Sequence, residues 1–181
     1  MPRRNGPRGV LKRVADFLRP NTSERRNGAQ AQVEGVVDSV TVLAQAELIA
    51  HHIDLKPSIP PNLPTVAASK IELEQVLLNL VRNSIEAMQE GRDGGRILKI
   101  AATCKSGNEV RVDIVDSGPG LDPSIEDKIF EPFATTKSDG LGMGIAISRR
   151  IVEGAGGRLW IAKSGPDGLQ VSLTLPVAGA I

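Results

Sequence analysis

Residues 139–148 read DGLGMGIAIS. Glycine stands at 140, 142 and 144, just before a run with the apolar spacing of a helix. A glycine inside a helix costs about 1 kcal/mol relative to alanine. Three in alternation therefore describe a backbone that must come close to something. Phosphate is the usual object, because free N–H groups at a helix start form an anion site. Neither common phosphate motif fits. A P-loop needs G-x-x-x-x-G-K followed by Ser or Thr, and no lysine follows Gly144. A dinucleotide fingerprint needs a strand directly before its glycines, and here the preceding residues are FEPFATTKS.

Working outward, residues 141–153 read as a helix closed by Gly154, and residues 158–163 and 169–175 as two strands joined by an SGPDG hairpin turn. On the other side, residues 118–140 form a long segment with a short helical piece near 124–130. Before it lie strand patterns at 96–105 and 109–116, with SGN as the turn. Residues 70–89 carry the strongest helical pattern, with Ser69 as N-cap and Glu72 completing a capping box. Residues 33–50 read as an amphipathic helix and 53–59 as a short strand before the breaker PPNLP. The ten residues 10–19 (VLKRVADFLR) have apolar positions at 10, 11, 14, 17 and 18, ending at Pro20. So short a helix is marginal alone and should pack on something. Helices with mixed strand connections predict an α/β fold, a two-layer sandwich.

The chain has 181 residues, enough for one domain of about 150 residues with a real core. Three Phe, one Trp and no Tyr argue against base-stacking nucleic-acid folds, which need aromatic platforms. No apolar run approaches the length of a transmembrane helix, and the lone Cys104 cannot form an internal disulfide; a reduced, cytoplasmic setting is the simplest expectation. The net charge of +1 is unevenly spread. Residues 1–30 carry eight Lys/Arg against two acids, and the rest fourteen against nineteen. A basic arm, with residues 1–9 expected to be disordered, precedes an acidic body.

Three constellations carry chemistry. On the helix 70–89, Glu72, Gln75, Asn79, Arg82, Asn83, Glu86 and Glu90 share a stripe about 100° wide. A solvent face would explain it. Yet asparagines at i and i+4 are poor helix formers, and they offer neutral oxygens to a hard cation and amides to phosphate. In VRVDIVDSGPGL, Asp116 shares the parity of Val110, Val112 and Ile114, so it points inward. A buried carboxylate needs a partner. The amine of a ligand such as adenine would serve, and so would an internal N–H. Gly118 and Gly120 follow at once. In IFEPFATTKSDGLGMG, Phe130 and Phe133 anchor one edge of a segment whose hydroxyls, Lys137 and glycines suit a lid over phosphates.

The order of these motifs resembles the ATP-binding catalytic domain of two-component sensor histidine kinases, a Bergerat-type fold shared with DNA gyrase and related ATPases. LLNLVRNSIEAM, VDSGPGL, IFEPFATTK and GLGMGIAISRRIVEGAGGRLW are similar in wording to the oxygen-sensing and nitrogen-regulation kinases. The resemblance covers about residues 33–177, leaving 178–181 as a tail. It implies that Asn79 and Asn83 lie beside the triphosphate, with Asn83 as the Mg²⁺ ligand. It implies that Asp116 accepts from the adenine amine, with Gly118 and Gly120 giving the base room. Thr136 and Lys137 would sit in the lid, and Gly140, Gly142 and Gly144, with Leu141 and Met143 between them, near the phosphates. The implied reaction is in-line transfer of the γ-phosphoryl of Mg-ATP to a histidine. Asn79, Asn83 and Lys137 would be its catalytic residues.

Two departures stand out. No acceptor box is present: the two histidines, His51 and His52, precede a short strand and read as structural or surface residues. Residues 10–32 resemble the end of the second helix of the dimerisation hairpin plus a linker, so the acceptor hairpin and the response regulator it serves are expected partners outside this chain. The fragment is expected to be monomeric, with no nucleic-acid partner. Leu169 stands where many relatives carry Thr or Ala, so a hydroxyl that helps Asp116 is missing. A non-catalytic nucleotide- or partner-binding module, and a serine kinase of the anti-sigma type, would share these motifs.

Overall fold

In the computed structural model the described residues are 29–89, 95–104, 108–126, 128–134 and 142–179. Residues 10–19, expected to be helical, lie outside them, as does the basic arm.

Helix α1, Val33–Ala50, buries Val33, Val36, Val37, Val40, Ala44 and Leu48, the spacing of one helical face. His51 ends it, donating its N–H to the Glu47 carbonyl, and His52 at φ 54° turns the chain into strand β1, Ile53–Ser58. Both histidines thus belong to a connection. Helix α2, Lys70–Gln89, buries Leu73, Val76, Leu77, Leu80, Val81, Ile85 and Met88, and among them Ser84. It crosses over to β2, Arg96–Cys104, which lies parallel to β1. A parallel pair requires such a crossover. Antiparallel pairing then joins β2 to β3 (Glu109–Asp116), β3 to β5 (Gly168–Pro176), and β5 to β4 (Arg158–Gly165). The sheet order is β1-β2-β3-β5-β4, with α3, Gly144–Gly154, placed between β3 and β4 in the chain.

One sheet face carries Leu98, Ile100, Val112, Ile114, Leu173 and Leu175 against the helices, forming the core of an α/β two-layer fold. The opposite face is polar. There Asp113 accepts hydrogen bonds from Arg111 (2.8 Å), Gln170 (3.1 Å) and Ser172, while Arg111 and Arg158 both stack on Trp160.

Three local readings change. Where a helical piece was expected near 124–130, the described residues make successive tight turns, the Ile125 N–H donating to the Asp122 carbonyl and the Lys128 N–H to the Ile125 carbonyl. The last helix starts at Gly144; Gly142, at φ 61°, lies outside the right-handed helical region. That helix also runs through Gly154, and the left-handed turn falls at Gly156.

Candidate functional site: a cavity between two helices

α2 and α3 meet along a cavity of about 420 Å³, a size suited to a small-molecule ligand. From α2 come Asn79, Asn83, Ser84 and Glu86; from the loop after β3, Pro119, Gly120 and Leu121; from the start of α3, Met143, Gly144 and Ile145. Apolar Leu80, Ala87, Ile125, Ile129 and Val171 complete the wall. The polar stripe read on α2 therefore divides. Glu72, Gln75 and Arg82 face solvent, while half-buried Asn79 and Asn83 turn toward the cavity. Asn79 holds α2 to α3: its amide donates to the Ser148 hydroxyl at 2.9 Å, and Ser148 is buried. Gly144 lies so close that a Cβ there would collide with the Asn79 carbonyl oxygen.

Helix α3 begins at the cavity edge with Met143 in the N-cap position and no side-chain cap. Its first N–H groups lack intrahelical partners by geometry. With the helix dipole, they make this edge attractive to an anion. The turn before it is tight. Phe133 donates its N–H to the Gly142 carbonyl at 3.0 Å, and a Cβ on Gly142 would meet the Phe133 and Ala134 backbone. Arg149 of α3 stacks on Phe130 at 5.0 Å. The two phenylalanines play different parts: Phe130 packs against the core, whereas Phe133 is half-exposed at φ 70°. Thr136, Lys137, Gly140 and Leu141 lie outside the described residues.

Asp116 is buried at the end of β3, inward as its parity requires. It does not itself line the cavity; Ser84 and Leu169, its neighbours, do. Its Oδ1 accepts from the Gly118 N–H at 2.9 Å and the Leu169 N–H at 3.3 Å. Burial pushes its carboxyl above the ordinary aspartate value, and hydrogen bonds from Gly118, Ser84 and Leu169 partly offset this. The internal N–H donors considered from the sequence are thus present. The hydroxyl that Leu169 cannot supply comes from Ser84 on α2. Sequence reading missed Ser84 because it sits within the helix's apolar face; its one signal is its place beside Asn83, where a small polar residue interrupts that face. Ser148 was missed for the same reason.

The fold and this site define an ATP-binding domain. Residues 68–179 match the family described as histidine kinase-, DNA gyrase B- and HSP90-like ATPase, and the chain belongs to that family. Its form is that of the catalytic domain of sensor histidine kinases. It is 36% identical over 93% of its length to the sensor protein TdiS of Thauera aromatica, of which it spans 30%. Among solved structures, the nucleotide-free catalytic domain of histidine kinase ThkA superposes with a TM-score of 0.72 at 29% identity, covering 82% of this chain and 97% of that one. Full-length ShkA in complex with AMPPNP gives 0.73 at 28% identity, covering 84% and 31%. ThkA in complex with the response regulator protein TrrA gives 0.68 at 26% identity, covering 94% and 49%. The chain spans under a third of the length of curated sensor-protein relatives that it matches. No described helix is long and apolar enough to cross a membrane.

Proposed function

We propose that this chain binds Mg-ATP in the cavity between α2 and α3 and transfers the γ-phosphoryl to a histidine carried outside residues 33–177, as the catalytic part of a cytoplasmic sensor kinase. The carrying observation is the convergence of Asn79, Asn83 and the uncapped start of α3 on one cavity whose far wall rests on Asp116.

The residues present suit such a ligand. Leu80, Ile125, Ile129 and Val171 give an apolar slot for a purine, and Ser84 and Leu169 line it in front of buried Asp116, whose remaining lone pairs are the acceptor proposed for the adenine amine. The N–H groups of Gly144 and Ile145 receive phosphate oxygens. Asn83 offers a neutral oxygen to Mg²⁺, which when bound neutralises charge on the phosphates. The resemblance assigns Gly140, Leu141, Gly142 and Met143, with Thr136 and Lys137, to contact with the phosphates. Asn79 has no proton-accepting group of carboxylate basicity, so it positions rather than activates water. This favours attack by an imidazole nitrogen on the γ-phosphorus over hydrolysis. The bond to the bridging oxygen breaks, ADP leaves, and the imidazole nitrogen loses its proton. A response regulator that takes the phosphoryl group from that histidine fits the same reading.

The test is a titration with a non-hydrolysable ATP analogue with and without Mg²⁺, followed by incubation of the chain with ATP and a separate histidine-bearing hairpin. Mg²⁺-dependent binding and an acid-labile phosphoryl on the hairpin are expected. Acid-stable phosphoserine on a partner would favour a serine kinase, and binding without transfer a regulatory module.

A further inference from the structure

Glu86 lines the cavity from its exposed rim. Its place on α2 follows from the two ends of the cavity. At one end Asn79 meets the uncapped start of α3, its amide on Ser148 and its carbonyl oxygen against Gly144. At the other, Ser84 bonds Asp116, and Ala87 lies 3.6 Å from the place a Cβ on Gly118 would take. Glu86 is level with this second end, seven residues beyond Asn79, a rise of about 10 Å. Seven residues also return the helix to within about 20° of the same line. Ser84 and Ala87 stand roughly 100–160° round from Glu86. Glu86 thus shares its height with the base wall and its line with the phosphate end.

A nucleotide joins base to phosphates through its sugar. With the base against Ser84 and Leu169 and the phosphates at Asn79 and Gly144, the sugar turns the corner between them, at the rim that carries Glu86. The chemistry suits this position. A ribose offers two neighbouring hydroxyl donors. A carboxylate is acceptor-only with about four lone-pair sites, so the contact that Glu86 already makes within the chain leaves room for both. Phosphate is the wrong neighbour for a carboxylate, but at about 10 Å along α2 the repulsion is largely screened by salt. Among the described residues one other carboxylate lines the cavity. That is Asp122, which is committed to its own turn, accepting from the Ser124 N–H at 2.8 Å.

We propose that Glu86 is a sugar-recognition residue, whose carboxylate accepts hydrogen bonds from the ribose hydroxyls and makes the site prefer ribonucleotides to deoxyribonucleotides. This inference rests on the nucleotide reading above and assigns a contact to the sugar, the one part of the ligand between base and phosphates.

The test is calorimetric titration of the full chain, with Mg²⁺, using ADP and the two analogues that each lack one ribose hydroxyl. The wild type should bind ADP about fivefold or more tightly than either analogue, the size of one hydrogen bond. Glu86→Ala, at an exposed helical position, should melt near the wild type and weaken ADP more than either analogue, so that the preference falls below about twofold. Glu86→Gln keeps one acceptor oxygen and should retain part of the preference. An undiminished preference in Glu86→Ala would overturn the proposal. So would an equal loss for all three ligands, which together with lost Mg²⁺ dependence would assign Glu86 to the metal instead. Both outcomes leave nucleotide binding intact. A wild-type chain that binds none of the three ligands would overturn the nucleotide reading and this inference with it.

Discussion

Asp116 meets two demands at once. As a buried carboxylate it must be satisfied in the unliganded protein, and Gly118, Leu169 and Ser84 do so. As the proposed adenine acceptor it must keep accepting capacity, and a carboxylate has about four lone-pair sites. These roles separate by substitution. Asparagine keeps an oxygen for the Gly118 and Leu169 donors, so Asp116→Asn should melt within a few degrees of the wild type. Its amide removes the charge and turns a donor toward the ligand side, so affinity for an ATP analogue should fall at least tenfold. Asp116→Ala leaves two buried N–H groups without a partner, which costs about 1–3 kcal/mol each, and should lower both. Calorimetric titration beside thermal melts reads the two effects. Wild-type affinity in Asp116→Asn would remove Asp116 from the binding site.

At the scale of elements, α3 is seated by its contacts to α2 and to the turn before it: the Asn79–Ser148 hydrogen bond, the close approach of Gly144 to Asn79, and Arg149 on Phe130. Ser148→Ala removes the acceptor of the Asn79 amide. A hydrogen bond of this kind contributes about 1 kcal/mol, so affinity for an ATP analogue should weaken about fivefold, with faster amide exchange confined to the start of α3. Unchanged affinity and exchange would show that Asn79 does not depend on this bond. The elements themselves were largely legible. Helices over 33–50 and 70–89 and strands at 53, 96, 109, 158 and 169 follow from apolar periodicity, which reports burial directly. What periodicity could not show was the pairing between elements. Ser84 and Ser148 look like ordinary members of apolar faces until the fold sets one against Asp116 and the other against Asn79. The start of α3 was displaced because Gly142 looks permissive in sequence, whereas in the fold it sits at φ 61°, packed so closely on the Phe133 and Ala134 backbone that a Cβ would not fit.

For the molecule as a whole, β3 places two carboxylates on opposite faces of the sheet, and they pull stability against pH in opposite directions. Asp113 faces outward. Burial alone would raise its carboxyl, but hydrogen bonds from Ser172, Arg111 and Gln170, with the Arg111 charge, hold it below the ordinary aspartate value. Its contribution is present above the unfolded value of 3.8 and is lost as pH falls through the lower folded value. Asp116 is raised by burial, so the folded chain binds its proton more tightly than the unfolded chain does. Its contribution is full below 3.8 and is lost as pH rises through the raised folded value. Removing each charge should therefore tilt the profile differently. Asp113→Asn should flatten the loss of stability on acidification, because the unfolded chain no longer gains by protonating that group. Asp116→Asn should steepen it, because a proton that favoured the folded state is gone. Urea midpoints from pH 7 down to pH 3, taken without nucleotide, measure both slopes, and tilts of the same sign in the two variants would refute the opposed environments. The double variant should combine the two tilts, since the side chains project from opposite faces of the strand.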